Sequence, residues 1–146
     1  MTIPREANIH GRERLNDMGQ TEIYAYATVA LTAKTMYKLD YGTYGPQVVA
    51  IADDTDIFAV CIPERAVAQY ASDWVVIRGP VEDAIVPNGT YTTNHAFKLS
   101  NGTITSMGAT WAGNGYEVGA FTETHAANTT TSNIYLAGGT VQNQHA

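Results

Sequence analysis

The segment Trp74–Val81 and the region that follows it favour a protein built from β-strands. The segment reads Trp-Val-Val-Ile-Arg-Gly-Pro-Val, and its β-branched and aromatic side chains are those that pack best in a sheet. Beyond it, short apolar runs alternate with turn residues, at about the spacing that is typical of a β-sandwich or β-barrel. The pairs Asn88-Gly89 and Asn101-Gly102 predict tight turns, because both residue types tolerate a positive φ angle.

The periodicity of the apolar residues also supports an all-β fold. From Thr21 to Leu31, apolar residues at every second position alternate with Glu22, Tyr24, Tyr26 and Thr28, which is the pattern of a strand. The segment 63–71 fits one helical turn or a strand, and a strand is preferred because 74–77 follows closely. The segment 126–132 is predicted to be a polar loop. Further strands are predicted at 36–39, 47–52, 57–62, 74–77, 81–86, 90–91, 96–99, 103–105, 109–111, 116–122 and 133–136.

The first 20 residues differ from the rest of the 146-residue chain. Ordering them costs on the order of 20–40 kcal/mol of backbone entropy. Their four apolar anchors return only about 6–12 kcal/mol on burial; these are Ile3, Ile9, Leu15 and Met18. We therefore expect an extended N-terminal arm (residues 1–20) that is ordered mainly against a neighbouring subunit, followed by one domain (residues 21–146). The alternative is an ordinary frayed terminus.

Composition narrows the range of functions. Only 15% of the residues are charged and the net charge is −6, so we expect no binding to nucleic acid or to anionic membranes. No segment is apolar over the 18 or so residues of a membrane span, and the N-terminus lacks the apolar stretch of a secretory signal. These features predict a soluble protein made in the cytoplasm. The single cysteine, Cys61, lies in an apolar run and is interpreted as a buried hydrophobic residue.

Residues that could carry chemistry are scattered. The cluster Asp53-Asp54-x-Asp56 lacks the glycine and the distal glutamate of a calcium loop, so a solvated turn is favoured. Adjacent residues on a strand point to opposite faces, so Glu82 and Asp83 cannot flank one bond. None of the four histidines has metal-ligand spacing. We expect no catalytic residue, no cofactor and no metal. A small hydrolase using His95, His125 and Glu82 is the least favoured alternative.

One stretch of the chain carries a resemblance to a known family. The run Val75–Val86 is followed by an Asn-Gly-Thr-Tyr turn, by His95-Ala-Phe-Lys, by Gly102-Thr103 and by a closing Ile-Tyr-Leu-Ala-Gly segment that ends at Gly138. This pattern over residues 21–140 resembles the head decoration (capsid cement) proteins of tailed bacteriophages. The resemblance implies a virion protein on the outer capsid surface. Such a protein, commonly a homotrimer, binds the major capsid protein and cements its neighbouring subunits.

The N-terminal arm offers a way to bind a capsid. It mixes three arginines with three acidic residues, and an arginine side chain forms bidentate contacts with carboxylates. An extended backbone can also add to the edge of a sheet. The predicted contact residues are Ile3, Pro4, Arg5, Ile9, Arg12, Arg14 and Leu15. The alternative function is a host-receptor or glycan-binding domain of a virion fibre, because tyrosine and tryptophan are frequent and could present a sugar-binding surface.

Overall fold

The computed structural model describes residues 9–43, 45–51, 59–100, 103–108 and 116–137. Within these ranges the chain forms ten strands and no helix, which confirms the all-β class. It follows that this part of the chain has no helix that could cross a membrane. The strands are β1 (Glu13–Leu15), β2 (Thr21–Ala27), β3 (Tyr37–Gly42), β4 (Gly45–Val49), β5 (Ala59–Cys61), β6 (Ser72–Tyr91), β7 (Ala96–Ser100), β8 (Thr103–Gly108), β9 (Tyr116–Phe121) and β10 (His125–Leu136).

The strands form one open, mixed sheet. Its order is β5-β3-β4-β2-β6-β10-β9-β7-β8, with β1 paired to β2 beside this path. All of the pairings are antiparallel except β2 with β4, which is parallel. The series β5-β3-β4-β2-β6 curves until its ends meet at one isolated antiparallel bridge, Ile62 with Val76. This part of the sheet therefore approaches the expected barrel. Among the described residues, no regular ladder of hydrogen bonds joins β5 to β6 to close it.

Strand β6 belongs to both halves of the sheet. Its first part, Ser72–Arg78, pairs with β2, and its second part, Gly79–Tyr91, pairs with β10. Gly79 marks the change of partner and has a φ of +113°. The sequence predicts separate short strands here, with a break at Gly79-Pro80. Instead the pair bends one continuous 20-residue strand, since glycine adopts this φ without steric cost.

The sheet buries two apolar clusters. The first core consists of Ile23, Ala25, Ala27, Leu31, Tyr37, Leu39, Val48, Ala59, Cys61, Val67 and Val75. The second core consists of Met36, Val60, Ile62, Val76, Val81, Ala84, Val86, Tyr91, Phe97, Phe121, Ile134 and Leu136. Neighbours such as Val75 and Val76 belong to different cores because successive strand residues point to opposite faces. Cys61 is fully buried, as predicted, and burial raises the pKa of its thiol.

Three local predictions were wrong. Segment 63–71 is a connection with a turn at Ala68–Ala71, and only Val67 forms an isolated bridge, to Leu31. Segment 126–132 is part of β10, because its threonines are β-branched and pair with β6. Asn88-Gly89 lies within β6 and faces Thr129. The predicted turn at 101–102 and the predicted strand at 109–111 lie outside the described residues, although β7 and β8 pair as a hairpin around 101–102.

Candidate functional site

The predicted contact residues fall into two groups. Ile3, Pro4 and Arg5 lie outside the described residues. Ile9 is half-buried in the turn before β1, and its carbonyl oxygen accepts a hydrogen bond from the Arg12 backbone N–H at 3.1 Å. The remaining three, Arg12, Arg14 and Leu15, are exposed on or beside β1. Residues 9–15 therefore lie together along one side of β2.

The second half of the N-terminal arm is joined to the chain's own sheet. The backbone N–H of Gly11 donates to the Tyr24 carbonyl at 2.8 Å, and the N–H of Tyr24 donates to the Arg12 carbonyl at 3.0 Å. Strand β1 continues this pairing along β2. We expected a neighbouring subunit to supply the backbone partners that this segment needs. For residues 11–15, strand β2 of the same chain supplies them.

Gln20 fixes the turn between β1 and β2. Its side chain is only 2% exposed, and its Nε2 group donates to the Pro80 carbonyl at 2.8 Å and to the Glu64 carboxylate. Asn16 donates to the Gln20 side-chain oxygen at 2.7 Å, and its own side-chain oxygen accepts the backbone N–H groups of Met18 and Gln20. Glu64 also forms an ion pair with Lys34. The turn is therefore held in one conformation by buried polar contacts.

Arg14 connects β1 to an aromatic side chain of β6. Its Nε donates to Glu22 Oε1 at 3.0 Å, and Glu22 is only 6% exposed. The Arg14 guanidinium carbon lies 4.1 Å from the centre of the Trp74 ring, which is cation–π geometry. A partly buried ion pair and a ring contact thus orient an otherwise exposed arginine.

Aromatic rings continue from Trp74 across the outer face of β2. We call this set the aromatic row: Tyr70, Tyr26, His10, Tyr24 and Trp74. Successive ring centres are 6.5, 6.4, 5.2 and 5.3 Å apart, and His10 is also held by a 2.7 Å hydrogen bond to Ser72. Tyr70 ends the row with 67% of its surface exposed and with a φ of +69°, an unusual value for a bulky residue.

A second ion pair lies close to Trp74. Arg65 donates to both carboxylate oxygens of Asp73, at 2.7 and 2.9 Å. The hydrogen bond from Arg65 lowers the pKa of Asp73 below its ordinary value. Burial opposes this shift, and the backbone N–H of Trp74 adds to it. The same contact raises the pKa of Arg65. Asp73 is therefore the carboxylate of this region whose charge is most clearly stabilised by its neighbours.

Two adjoining depressions lie on either side of the turn between β1 and β2. Their volumes are about 330 and 300 Å³, and both are lined by Met18 and Glu64. The first is also lined by Arg14, Asn16, Asp17, Glu22, Arg65, Asp73 and Trp74. The second is also lined by Gln20, Lys34, Pro80 and Glu82. Met18, which lines both, is 60% exposed, and Leu15, three residues earlier in the chain, is 74% exposed.

The residues considered for hydrolysis show different contacts. His125 Nε2 lies 2.8 Å from Glu123 Oε1, and Glu123 also accepts the Asn133 backbone N–H at 2.9 Å. These hydrogen bonds lower the pKa of Glu123. Glu82 instead lines the second depression. Within the described ranges no group of three or more His, Cys, Asp or Glu residues could hold a metal ion, and the cluster at 53–56 lies outside those ranges.

Sequence reasoning proposed Arg14 as a contact residue but did not indicate the residues that lie around it. Glu64, Asp73 and Trp74 line the same depression as Arg14, although they lie up to 60 positions away in the chain. No spacing in the sequence indicates these contacts. The alternation of Tyr24 and Tyr26 with buried residues is the one signal that could have revealed an aromatic outer face.

Comparisons with known proteins identify the fold. No family model matches the sequence, and no curated protein is significantly similar to it. Among solved structures, the N base of head fiber gp8.5 in bacteriophage phi29 is similar, with a TM-score of 0.53. The similarity covers 83% of this chain and 97% of that chain, with 12% sequence identity. At this identity the similarity shows a shared fold.

Proposed function

We propose that this protein is a structural component of a bacteriophage virion. In this proposal it lies on the outer capsid surface and stabilises the shell by cementing neighbouring major capsid protein subunits. The observation that carries the proposal is the fold shared with the N base of a phage head fiber, over 97% of that chain. The resemblance of residues 21–140 to head decoration proteins adds to it.

The exposed side chains of the N-terminal arm are the proposed capsid contacts. Arg14 and Leu15 are exposed on β1, which is fixed to the sheet, and Arg12 is exposed directly before it. A shell presents many equivalent positions. If the protein is a homotrimer, three modest contacts per trimer act together, so that the effective affinity exceeds that of one contact.

Stripped phage heads provide the test. The purified protein should bind heads that lack it and should raise the temperature at which the shells rupture. Its mass in solution should be three times that of the 15.7 kDa chain. Failure of the intact protein to bind heads would refute the proposed function, and a monomeric mass on and off the shell would refute the trimer.

A deletion tests the role of the first residues. Removing residues 2–8 leaves β1 and Gln20 in place, so the domain should keep its melting temperature while occupancy on heads falls about tenfold or more. A deletion that extends to residue 20 is less informative, because it removes strand β1 and the buried contacts of Gln20. Unchanged occupancy after the shorter deletion would show that residues 2–8 do not contact the capsid.

The aromatic row favours a second candidate function, binding of a glycan on a host surface. Tyr70 is 67% exposed, its ring stacks on Tyr26 at a centre distance of 6.5 Å, and its positive φ is the kind of strain that is common at binding sites. Sugars pack on exposed aromatic faces. A glycan array should then give specific signals that Tyr70→Ala removes, and an array without signals would reject this function.

A further inference from the structure

The turn between β1 and β2 presents apolar side chains within an acidic surrounding. Leu15 and Met18 are mostly exposed, and Met18 lines both depressions. Pro80 lines the second depression from the bend of β6. An exposed apolar centre with a polar rim is the usual anatomy of a protein–protein contact.

The charges of this region are unequally matched. Five carboxylates and three cations line the two depressions. Each cation already forms an ion pair: Arg14 with Glu22, Lys34 with Glu64, and Arg65 with Asp73. This leaves Asp17 and Glu82, for which no cation lies within ion-pair distance among the residues that the structure describes. They stand at the rims of the first and the second depression.

We propose that Leu15, Asp17, Met18, Pro80 and Glu82 form a docking surface for a basic segment of the major capsid protein. This inference rests on the proposed function and specifies the chemistry of the partner. The segment would place an apolar side chain against Leu15 and Met18, and a lysine or arginine against each of the two unmatched carboxylates. Complementary charges of this kind fix the relative position of two proteins and increase their rate of association.

The charge of the chain argues against a second copy as the occupant. The net charge is −6, and a second copy would bring the same two carboxylates to the contact. The cations at this surface are held in ion pairs within their own chain. A basic partner removes the imbalance, whereas an identical acidic partner increases it.

The turn that carries this surface is also held by hydrogen bonds of its own chain before a partner binds. Asn16 and Gln20 hold the turn by hydrogen bonds to its backbone and to β6, and Gln20 is buried. Binding would therefore require little additional ordering of the backbone, which lowers the entropy that a contact must overcome.

Stripped heads and two pairs of substitutions test the inference. Asp17→Asn with Glu82→Gln removes the unmatched charges, and Leu15→Ser with Met18→Ser removes the apolar centre. Each double variant should weaken binding to heads about tenfold or more. The charge variant should in addition show a smaller loss of affinity between low and high salt than the original protein does. Circular dichroism and melting temperature should stay unchanged, because these side chains are exposed.

A control variant has the same net charge as the Asp17/Glu82 double variant. It tests whether a loss of binding depends on where the two charges are removed. Glu13→Gln with Asp83→Asn changes two exposed carboxylates that line neither depression, and asparagine tolerates the positive φ of Asp83. Its affinity for heads should stay within about twofold of the original. If the original protein binds heads and all three variants bind them with the same affinity, this inference alone is overturned. Absence of binding by the original protein would overturn the proposed function as well.

Discussion

Gly79 allows the two halves of the molecule to meet. At its φ of +113° a side chain is strained, and a Cβ atom built there would lie 2.7 Å from the Gly19 carbonyl oxygen and 3.0 Å from the Gln20 Cα. The missing side chain lets the turn between β1 and β2 lie directly against β6. The Gln20 side chain then reaches the Pro80 carbonyl. One glycine thus bends the longest strand and positions the proposed docking surface.

Gly79→Ala should destabilise the protein by about 2–3 kcal/mol, because both the backbone angle and the contact with Gly19 become unfavourable. Urea unfolding followed by circular dichroism measures this free energy. Gly19→Ala is the matched control. Its φ is also positive, at +77°, but nothing lies within 4 Å of the added carbon, so about 1 kcal/mol is expected. Equal losses for the two variants would contradict the role of close contact at Gly79.

The ion pair of Asp73 predicts a dependence of stability on pH. Because the pKa of Asp73 is lowered in the folded protein, its contribution is present above the ordinary value of 3.8 and is lost as pH falls through the lowered value. Solvent screening at exposed Arg65 limits the effect to about 0.5–1 kcal/mol. Melting temperatures measured from pH 6 to pH 2 should fall less steeply for Asp73→Asn than for the original protein. Identical slopes for the two proteins would contradict the prediction.

At the scale of elements, two Asn-Gly dipeptides differ in the strand pairing of the residues around them. Ser100 and Thr103, the residues on either side of Asn101-Gly102, pair with each other, whereas Asn88-Gly89 lies inside β6 opposite Thr129 of β10. Local turn preference is the same in both places. The difference comes from Tyr91, which is 7% exposed and whose ring centre lies 4.5 Å from that of Phe121. Burial of this ring in the second core keeps the strand extended through the Asn-Gly pair.

Inserting Gly-Ser between residues 88 and 89 should therefore cost about 2–4 kcal/mol, because it shifts Tyr91 out of the second core. The same insertion between residues 101 and 102 should cost less than about 1 kcal/mol, since it only lengthens a connection. Thermal unfolding of the two variants gives the comparison. A tolerated insertion at 88–89 would show that this pair acts as a turn after all.

At the scale of the whole molecule, β6 makes the two cores interdependent. Val75 contributes to the first core and Val76 to the second, and Val76 exchanges two backbone hydrogen bonds of 2.9 Å with Ile62. Because β6 contributes side chains to both cores, unfolding of one core would also disturb the other. We therefore expect the domain to unfold as one cooperative unit.

Val76→Ala tests this expectation, because Val76 is fully buried where the two halves meet. It should destabilise the protein by about 2–3 kcal/mol. Far-ultraviolet circular dichroism and tryptophan fluorescence should shift together and keep coincident midpoints. The control Thr130→Ala, on the exposed part of β10, should change stability by less than about 0.5 kcal/mol. Separate midpoints for the two signals would contradict cooperative unfolding.

The sequence by itself determined the all-β class, the alternation of β2 and the burial of Cys61, because periodicity and residue type act over a few neighbouring positions. It also singled out Arg14 and Leu15, whose exposure the structure describes. Only the tertiary structure decided that β6 runs through Asn88-Gly89, that residues 11–15 pair with their own β2, and that Asp17 and Glu82 line the two depressions. These outcomes depend on contacts between residues far apart in the chain, and such contacts outweigh local conformational preferences once a core is buried.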